Sequence, residues 1–114
     1  MLDKECFFKP RELVPEKGKD FVADIPLGLT NRQDLFKTLQ EKLRLPDYFG
    51  YNWDALVECL RDLSWIKQLR VILIHQDIPA ITPKEVEEYL DILATTSKYW
   101  ERSAQHKFLV ILPK

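Results

Sequence analysis

The sequence is poor in cysteine, and the positions of its two cysteines favour neither a metal site nor a reactive thiol. Cys6 and Cys59 lie far apart in a chain of 114 residues, and neither belongs to a group of His, Cys, Asp and Glu with the spacing of metal ligands. Cys59 also falls on the apolar side of a predicted helix, where a thiol usually behaves as a small hydrophobic group. We therefore expect no metal site, no cofactor and a reducing environment.

Glycine is scarce as well, and the common catalytic motifs are missing. Three scattered glycines form no phosphate-binding loop, and no serine lies in a Gly-x-Ser-x-Gly turn. Asp54 and Glu58 resemble an acid and base pair, but the outside of a helix lacks the desolvated pocket that such a pair needs. His75 is interpreted as a strand-end residue bonded to the backbone. A small enzyme built on His75 and Asp77 is kept as a third functional hypothesis, after the two binding functions given at the end of this section. The sequence thus predicts no catalytic residues.

The chain also lacks a long apolar run and a strong charge of either sign. No apolar stretch approaches the roughly 18 residues of a membrane helix, and the first ten residues lack the apolar run of a signal peptide. Seventeen basic and 18 acidic residues give a net charge of −1, without the basic stripe of a nucleic-acid binder. We expect one globular, cytoplasmic domain that binds neither membrane nor nucleic acid directly.

Apolar patterns predict that strands and helices alternate along the chain. Runs of β-branched and aromatic residues indicate three strands, at Phe21–Ile25, Leu69–Ile74 and Lys107–Leu112. Three helices are predicted from their capping residues, which are Thr30 with Gln33, Asn52, and Thr82 with Pro83 and Glu85. The helices are expected to end before Pro46, near Ser64 and near Arg102.

Strands that are separated by helices normally pair in parallel through right-handed crossovers. We therefore predict an α/β fold, a small three-stranded parallel sheet covered by helices, in a domain of residues 20–114. Residues 1–19 are predicted to form an N-terminal arm or loop. Within that arm Cys6–Phe8 has the character of an extra strand, for which an antiparallel edge position is one option.

The most informative stretch is the loop and helix from Leu45 to Leu63. Pro46 and Gly50 indicate the loop, and Asn52 is suited to cap the helix because its side-chain oxygen accepts a backbone N–H of the first turn. An apolar stripe recurs at i, i+3, i+4 and i+7, which places one side of the helix on the core. Its members are Leu56, Cys59, Leu60 and Leu63.

The opposite side of this helix is acidic and is predicted to face outward. Asp54, Glu58, Arg61 and Asp62 lie away from the apolar stripe, beside an apolar pair formed by Trp53 and Val57. A solvated face is the simpler interpretation, in which Arg61 pairs with Glu58 from three residues on. The alternative is a protein-binding face, because exposed aromatic residues beside carboxylates are typical of binding hot spots.

Aromatic residues crowd the loop before the helix. Tyr48, Phe49, Tyr51 and Trp53 fall within six residues that also contain glycine and asparagine, so we expect some of their ring surface to be exposed. The stretch 45–63 carries four acidic residues and one basic residue. Phosphates would be repelled by such a surface, which favours a protein partner over RNA or DNA.

The residues between Asp34 and Leu63 resemble the barstar family, the intracellular inhibitors of the ribonuclease barnase. The resemblance is carried by Asp34-Leu35, Thr38-Leu39, Leu45-Pro46-Asp47-Tyr48-Phe49-Gly50, Asn52, Asp54-Ala55-Leu56 and Cys59-Leu60. It implies a barstar-like fold and a binding mode in which the loop and the following helix plug the active-site groove of a basic ribonuclease. Carboxylates would then occupy the positions of the substrate phosphates.

The resemblance also implies roles for individual residues. Tyr48 matches the loop aromatic, Asn52 the amide at the helix start and Asp54 the first interface carboxylate. Glu58 takes the position of the principal carboxylate, which is an aspartate in the family. The complete expected partner-binding set is Tyr48, Phe49, Asn52, Trp53, Asp54, Val57, Glu58, Arg61 and Asp62.

The leading functional hypothesis is therefore a non-enzymatic inhibitor of a small basic ribonuclease. Its expected partner is an extracellular-type ribonuclease or a ribonuclease toxin, and the chain would act as a bacterial antitoxin or immunity protein, as a monomer. The alternative is an adaptor of barstar-like fold that binds a partner other than a nuclease, since a fold does not fix a function.

Overall fold

The computed structural model describes residues 8–9, 13–16 and 18–113. It contains four strands and three helices, which differ by one or a few residues from the predicted elements. In chain order they are β1 (Phe8–Lys9), β2 (Asp20–Ile25), α1 (Arg32–Leu43), α2 (Trp53–Leu60), β3 (Arg70–His75), α3 (Pro83–Trp100) and β4 (Lys107–Ile111).

The strands form one parallel sheet in the order β1-β4-β3-β2. This confirms the α/β class and the parallel pairing of the three predicted strands. In the register of the sheet, Ile72 of β3 lies between Val22 of β2 and Leu109 of β4. The parallel neighbours are joined through helices, since α1 and α2 lie between β2 and β3 in the chain and α3 lies between β3 and β4.

The N-terminal arm contributes the fourth strand, and the antiparallel option for it is wrong. Phe8 pairs with Val110 and Lys9 with Ile111, both in parallel. Because β1 and β2 occupy opposite edges of the sheet, they do not pair with each other as the two strands of a tight antiparallel hairpin do. Cys6 and Phe7 of the predicted strand lie outside the described residues, and the domain division at residue 20 stays a prediction.

The edge strand β2 is amphipathic, because only one of its two faces packs on the helices. On β2, Phe21, Ala23 and Ile25 are buried, whereas Val22 and Asp24 are exposed. This alternation follows from the two-residue period of a strand and places one face against the helical layer. The central strand β3 is buried on both faces over Val71, Ile72 and Leu73, as its continuous apolar run predicts.

Helix starts follow the capping rules, with one shift. The box at Thr82 is confirmed, since its hydroxyl accepts the Glu85 N–H at 3.2 Å while the Glu85 carboxylate accepts the Thr82 N–H at 3.2 Å. The predicted cap at Thr30 is wrong by one residue. Asn31 caps α1 by accepting the Asp34 N–H at 2.8 Å, because asparagine is the stronger capping residue.

The helix ends are less regular than the apolar stripes suggest. The helix α2 ends at Leu60, before the expected end near Ser64, and α3 ends at Trp100, before Arg102. After α2 the chain turns, and Leu63 adopts a left-handed φ of 49° while its side chain stays buried. Burial of Leu63 therefore continues the apolar stripe beyond the helix. No helix in the described part of the chain is long and apolar enough to cross a membrane.

His75 ends β3 inside the core, which confirms its interpretation as a strand-end residue bonded to the backbone. Its Nδ1 lies 3.1 Å from the Ile111 carbonyl oxygen and its Nε2 lies 2.6 Å from the Tyr89 hydroxyl. The ring is fully buried. Both ring nitrogens are therefore engaged inside the core, whereas the third hypothesis, an enzyme built on His75 and Asp77, needs an imidazole that a substrate can reach.

This buried imidazole predicts a fall in stability in mild acid. Burial lowers the pKa of His75 from 6.5 to about 4, against the smaller opposing effects of the Ile111 carbonyl and Asp24. Below pH 6.5 the unfolded chain therefore binds a proton that the folded chain refuses until about pH 4. The free energy of unfolding should drop by about 3 kcal/mol across that window, as measured by urea unfolding at each pH.

The variant His75→Gln is the control, since it cannot titrate. Its unfolding free energy should start lower but change less between pH 6.5 and 4. An equal pH dependence in both proteins would contradict the assignment.

The Asp20–Arg70 ion pair, with Oδ1–Nε at 2.8 Å, lowers the pKa of Asp20 from 3.8. The stabilisation that this pair gives is therefore present above pH 3.8 and is lost only in stronger acid.

Candidate protein-binding face

The loop between α1 and α2 is fastened to α1 by hydrogen bonds. Tyr51 donates its hydroxyl to Gln40 Oε1 at 2.6 Å, and Gln40 Nε2 donates to the Pro46 carbonyl at 3.3 Å. Inside the loop the Phe49 N–H donates to the Pro46 carbonyl at 2.9 Å, which closes a turn. The loop therefore has a defined conformation, although Tyr51 adopts a positive φ of 53°.

Asn52 ends the loop and caps α2, as the sequence predicts. Its Oδ1 accepts the Ala55 N–H at 2.8 Å, and its Nδ2 donates to the Gly50 carbonyl at 3.0 Å. A Cβ on Gly50 would lie 3.1 Å from that Nδ2, so the close contact favours glycine there. One amide side chain thus joins the loop to the first turn of the helix.

Replacing Asn52 with alanine should lower the free energy of unfolding by about 1 kcal/mol, the usual cost of losing a helix cap. Urea unfolding at neutral pH provides the measurement. Asn52→Asp is the matched control, because aspartate keeps the oxygen that accepts the Ala55 N–H and should lose far less. Equal losses in the two variants would show that the cap contributes nothing.

The apolar stripe of α2 lies on the core as predicted. Leu56, Cys59, Leu60 and Leu63 are all buried. Burial, assisted by the nearby carboxylates of Asp62 and Glu58, raises the pKa of the Cys59 thiol. Because the thiolate is the reactive form, this cysteine is inert at neutral pH.

The loop aromatics divide into one exposed ring and several that pack inward. Tyr48 is 72% exposed, whereas Phe49 is only 5% exposed. Trp53 is partly buried, with its ring 4.8 Å from Phe36 and 6.1 Å from Tyr89 between centroids. The expectation that Trp53 faces outward with Val57 therefore holds only in part, because the indole fills space between α1 and α3.

Three carboxylates stand on the outer side of α2 and the turn that follows it. Asp54, Glu58 and Asp62 are four residues apart and exposed, the spacing that aligns side chains along one side of a helix. Within the described residues, none of the three side chains forms a hydrogen bond or an ion pair. Their oxygens are therefore available to a partner.

The expected pairing of Arg61 with Glu58 does not occur. The Arg61 guanidinium lies over the ring of Tyr99, 5.2 Å from its centroid. This cation–π contact joins the end of α2 to α3, so that the guanidinium is held by an aromatic ring and not by Glu58. The solvated-face interpretation of α2, in which Arg61 pairs with Glu58, therefore loses the ion pair on which it depended.

The loop and the helix share one electrostatic surface. Partial desolvation, followed by the negative charge of Asp62, raises the pKa of the Tyr48 hydroxyl, and Cys59 and Glu58 act in the same direction. The exposed loop ring thus lies within the field of the helix carboxylates. We call the surface formed by Tyr48, Asn52, Asp54, Glu58 and Asp62 the acidic face.

The structure brings most of the predicted binding residues to this surface. The exposed members of the set are Tyr48, Asn52, Asp54, Glu58, Arg61 and Asp62, while Trp53 and Val57 are partly buried. Phe49 lies in the core, where its ring contacts Phe36 and Tyr51, and so it supports the loop from beneath. No group of three or more His, Cys, Asp or Glu able to hold a metal occurs in the described part of the chain.

The sequence did not indicate that α3 borders the outer side of α2. Tyr99 is 51% exposed, and Ile92, Thr95 and Thr96 line a small depression together with Val57 and Arg61. These α3 residues follow the spacing i, i+3, i+4 and i+7 and lie beside the buried stripe that contains Trp100, with Thr96 itself buried. This second stripe is the sequence pattern that could have indicated the contact between α3 and α2.

Comparison with known proteins identifies the family of the chain. No individual curated protein matches the sequence. The family model described as Barstar (barnase inhibitor) matches residues 24–113. This range covers more than three quarters of the chain and includes the acidic face, all three helices and the strands β3 and β4. The chain belongs to the barstar family of barnase inhibitors.

Proposed function

We propose that the chain is a non-enzymatic inhibitor that binds the active-site groove of a small basic ribonuclease through its acidic face. The observation that carries the proposal is the set of three exposed carboxylates, Asp54, Glu58 and Asp62, that are without hydrogen bonds or ion pairs to other described residues. Membership of a family described as barnase inhibitors supports the same function.

The carboxylates would replace the phosphates of the RNA substrate. A carboxylate offers two oxygens to an arginine in a bidentate pair, much as a phosphate does. Glu58 occupies the middle of the row, between Asp54 and Asp62, and so would meet the cationic centre of the groove. A negative face also attracts a positive groove over a distance, which raises the rate of association.

The framework beneath the acidic face reduces the entropic cost of binding. The bond from Tyr51 to Gln40, the cap at Asn52 and the packing of Trp53 on Phe36 fix the loop and the helix before a partner arrives. Preorganised groups lose less conformational freedom on association. Tyr48 adds an exposed aromatic ring, the type of side chain that often anchors an interface.

Titration of a ribonuclease with the purified chain tests the function. With barnase or another guanyl-specific ribonuclease as the probe, activity should fall linearly and end at a ratio of one chain per enzyme. Added salt should weaken the inhibition, because it screens the charges that face each other across the interface. Full ribonuclease activity at a large excess of the chain would contradict the proposal.

In the cell such an inhibitor would protect bacterial cytoplasm from a ribonuclease toxin made by the same cell or by a competitor. The chain would act as a monomer and as the antidote of that toxin. The adaptor alternative predicts a different result in the same assay. Inhibition would be absent, and a partner that is not a nuclease would bind in a manner that depends on Tyr48 and Asp54.

A further inference from the structure

Arg61 is a cation at the end of an otherwise acidic row. Glu58 precedes it by three residues and Asp62 follows it directly, yet Arg61 forms an ion pair with neither of them. Its guanidinium rests on the Tyr99 ring at 5.2 Å from the centroid, and both side chains are exposed. A planar guanidinium held on an aromatic ring keeps its N–H donors at the edge, where a partner can reach them.

A surface depression adjoins this arginine, and its lining includes Asp62 but neither Asp54 nor Glu58. It encloses about 540 Å³ and is lined by Arg61, Asp62, Lys67 and Tyr99, with the buried Trp100 and His106 in its wall. Two cations and one carboxylate therefore border the same space. The sign of the local charge is opposite to that of the row formed by Asp54 and Glu58.

A ribonuclease groove that is basic throughout would be repelled at this end of the contact. A carboxylate of the partner would instead meet Arg61 and Lys67 together, and the Tyr99 hydroxyl is a further donor at the border. We propose that Arg61 and Lys67 select ribonucleases that carry an acidic side chain at the rim of the basic groove, placed to enter this depression. The inference rests on the proposed function and names a specificity that the function alone does not require.

A purely structural role for Arg61 makes a different prediction. If the arginine only joins α2 to α3 through Tyr99, its replacement alters stability but affects all partners equally. Selection through charge instead creates coupling between Arg61 and one position of the partner. A double-mutant cycle separates these two cases, because it reports the interaction between two residues and cancels their separate effects.

The experiment uses barnase as the probe, together with a panel of single variants in which each rim position of its active-site groove is changed in turn to glutamate. Dissociation constants are measured at one salt concentration for the wild-type chain, Arg61→Met and Lys67→Met. Methionine keeps an apolar stem of similar length, so packing on Tyr99 is retained while the charge is lost. Lys37→Met, on the exposed side of α1, is the control for a change in net charge.

If Arg61 and Lys67 select the partner, the wild-type chain should prefer barnase variants with glutamate at one or a few rim positions. Relative to parent barnase, at least one glutamate variant should bind the wild-type chain about tenfold more tightly than it binds Arg61→Met, the size expected of a close charge pair. Lys67→Met should reduce the same preference, and Lys37→Met should keep it. Glutamate at rim positions that lie near Asp54 should weaken binding for all four chains, because like charges then meet.

Three results would contradict the selection, and they have different meanings. Ratios that agree within a factor of about 2 across the whole panel, with parent barnase bound, would overturn the selection and leave the proposed function standing. Failure of every chain to bind parent barnase and every variant would overturn the proposed function, and the selection with it. Preference that depends on Lys37 as strongly as on Arg61 would reduce the effect to net charge and would also overturn the selection.

Discussion

The variant Glu58→Gln should bind a basic ribonuclease about 2–5 kcal/mol more weakly than the wild-type chain. The loss arises because a buried cation of the partner would keep its desolvation cost without its carboxylate. Folding should not be impaired, since Glu58 is exposed and unpaired among the described residues. Relief of its repulsion with Asp54, four residues earlier, would even stabilise α2 by about 0.2–0.5 kcal/mol.

Calorimetric titration of both proteins provides the comparison, and Glu41→Gln on the exposed side of α1 is its control. The control removes the same charge from the same residue type, so it reports the contribution of net charge alone. If Glu58→Gln costs no more than Glu41→Gln, then Glu58 is a rim residue and the acidic face is not centred on it. The central position of Glu58 in the row of carboxylates makes this the most sensitive single site.

Truncation of Phe36 should be the most destabilising change beneath the acidic face. Its side chain is fully buried, and its ring lies 5.9 Å from Phe49 and 4.8 Å from Trp53 in edge-on contacts. The variant Phe36→Ala should therefore lose about 3–5 kcal/mol of unfolding free energy, the usual cost of deleting a buried aromatic ring. Urea unfolding gives the value.

This change should also weaken binding, because Phe36 supports both the loop and the first turn of α2. Phe21→Ala is the matched control: it removes another buried ring, from β2, whose cation–π neighbour is Arg44. Under conditions where both variants are folded, Phe36→Ala should lose affinity while Phe21→Ala retains it. Equal affinities would mean that packing under the acidic face does not organise it.

Sequence reasoning succeeded where a local rule decides the structure. The cap at Asn52 and the box at Thr82 depend on contacts within one turn, and the structure forms both. The apolar stripe from Leu56 to Leu63 depends only on helical period, and every member is buried. The outward position of Asp54 and Glu58 follows from the same period, which is why the candidate face was predictable.

It failed where tertiary contacts choose among local options. Trp53 has a position on α2 that looks exposed, but Phe36 and Tyr89 from two other helices offer it a partly buried site. Arg61 is within reach of Glu58 along the helix, but the ring of Tyr99 on α3 holds it instead. The direction of β1 was equally beyond local rules, because it depends on which sheet edge the arm joins.

The Thr30 error has a simpler origin. Two overlapping capping patterns, Thr30 with Gln33 and Asn31 with Asp34, begin one residue apart. The structure uses the second, in which Asn31 Nδ2 also donates to Asp34 Oδ2 at 2.9 Å. The stronger capping preference of asparagine and a carboxylate in the first helical turn both favour that choice.

Mapping of the bound ribonuclease on the chain tests whether the acidic face is the binding surface. Amide signals of the ¹⁵N-labelled chain are followed as unlabelled barnase is added, and the perturbed residues are located on the fold. The largest changes should cluster at residues 47–62, with smaller ones around Tyr99. Changes confined to the exposed side of β2, around Val22 and Asp24, with residues 47–62 unaltered, would contradict it.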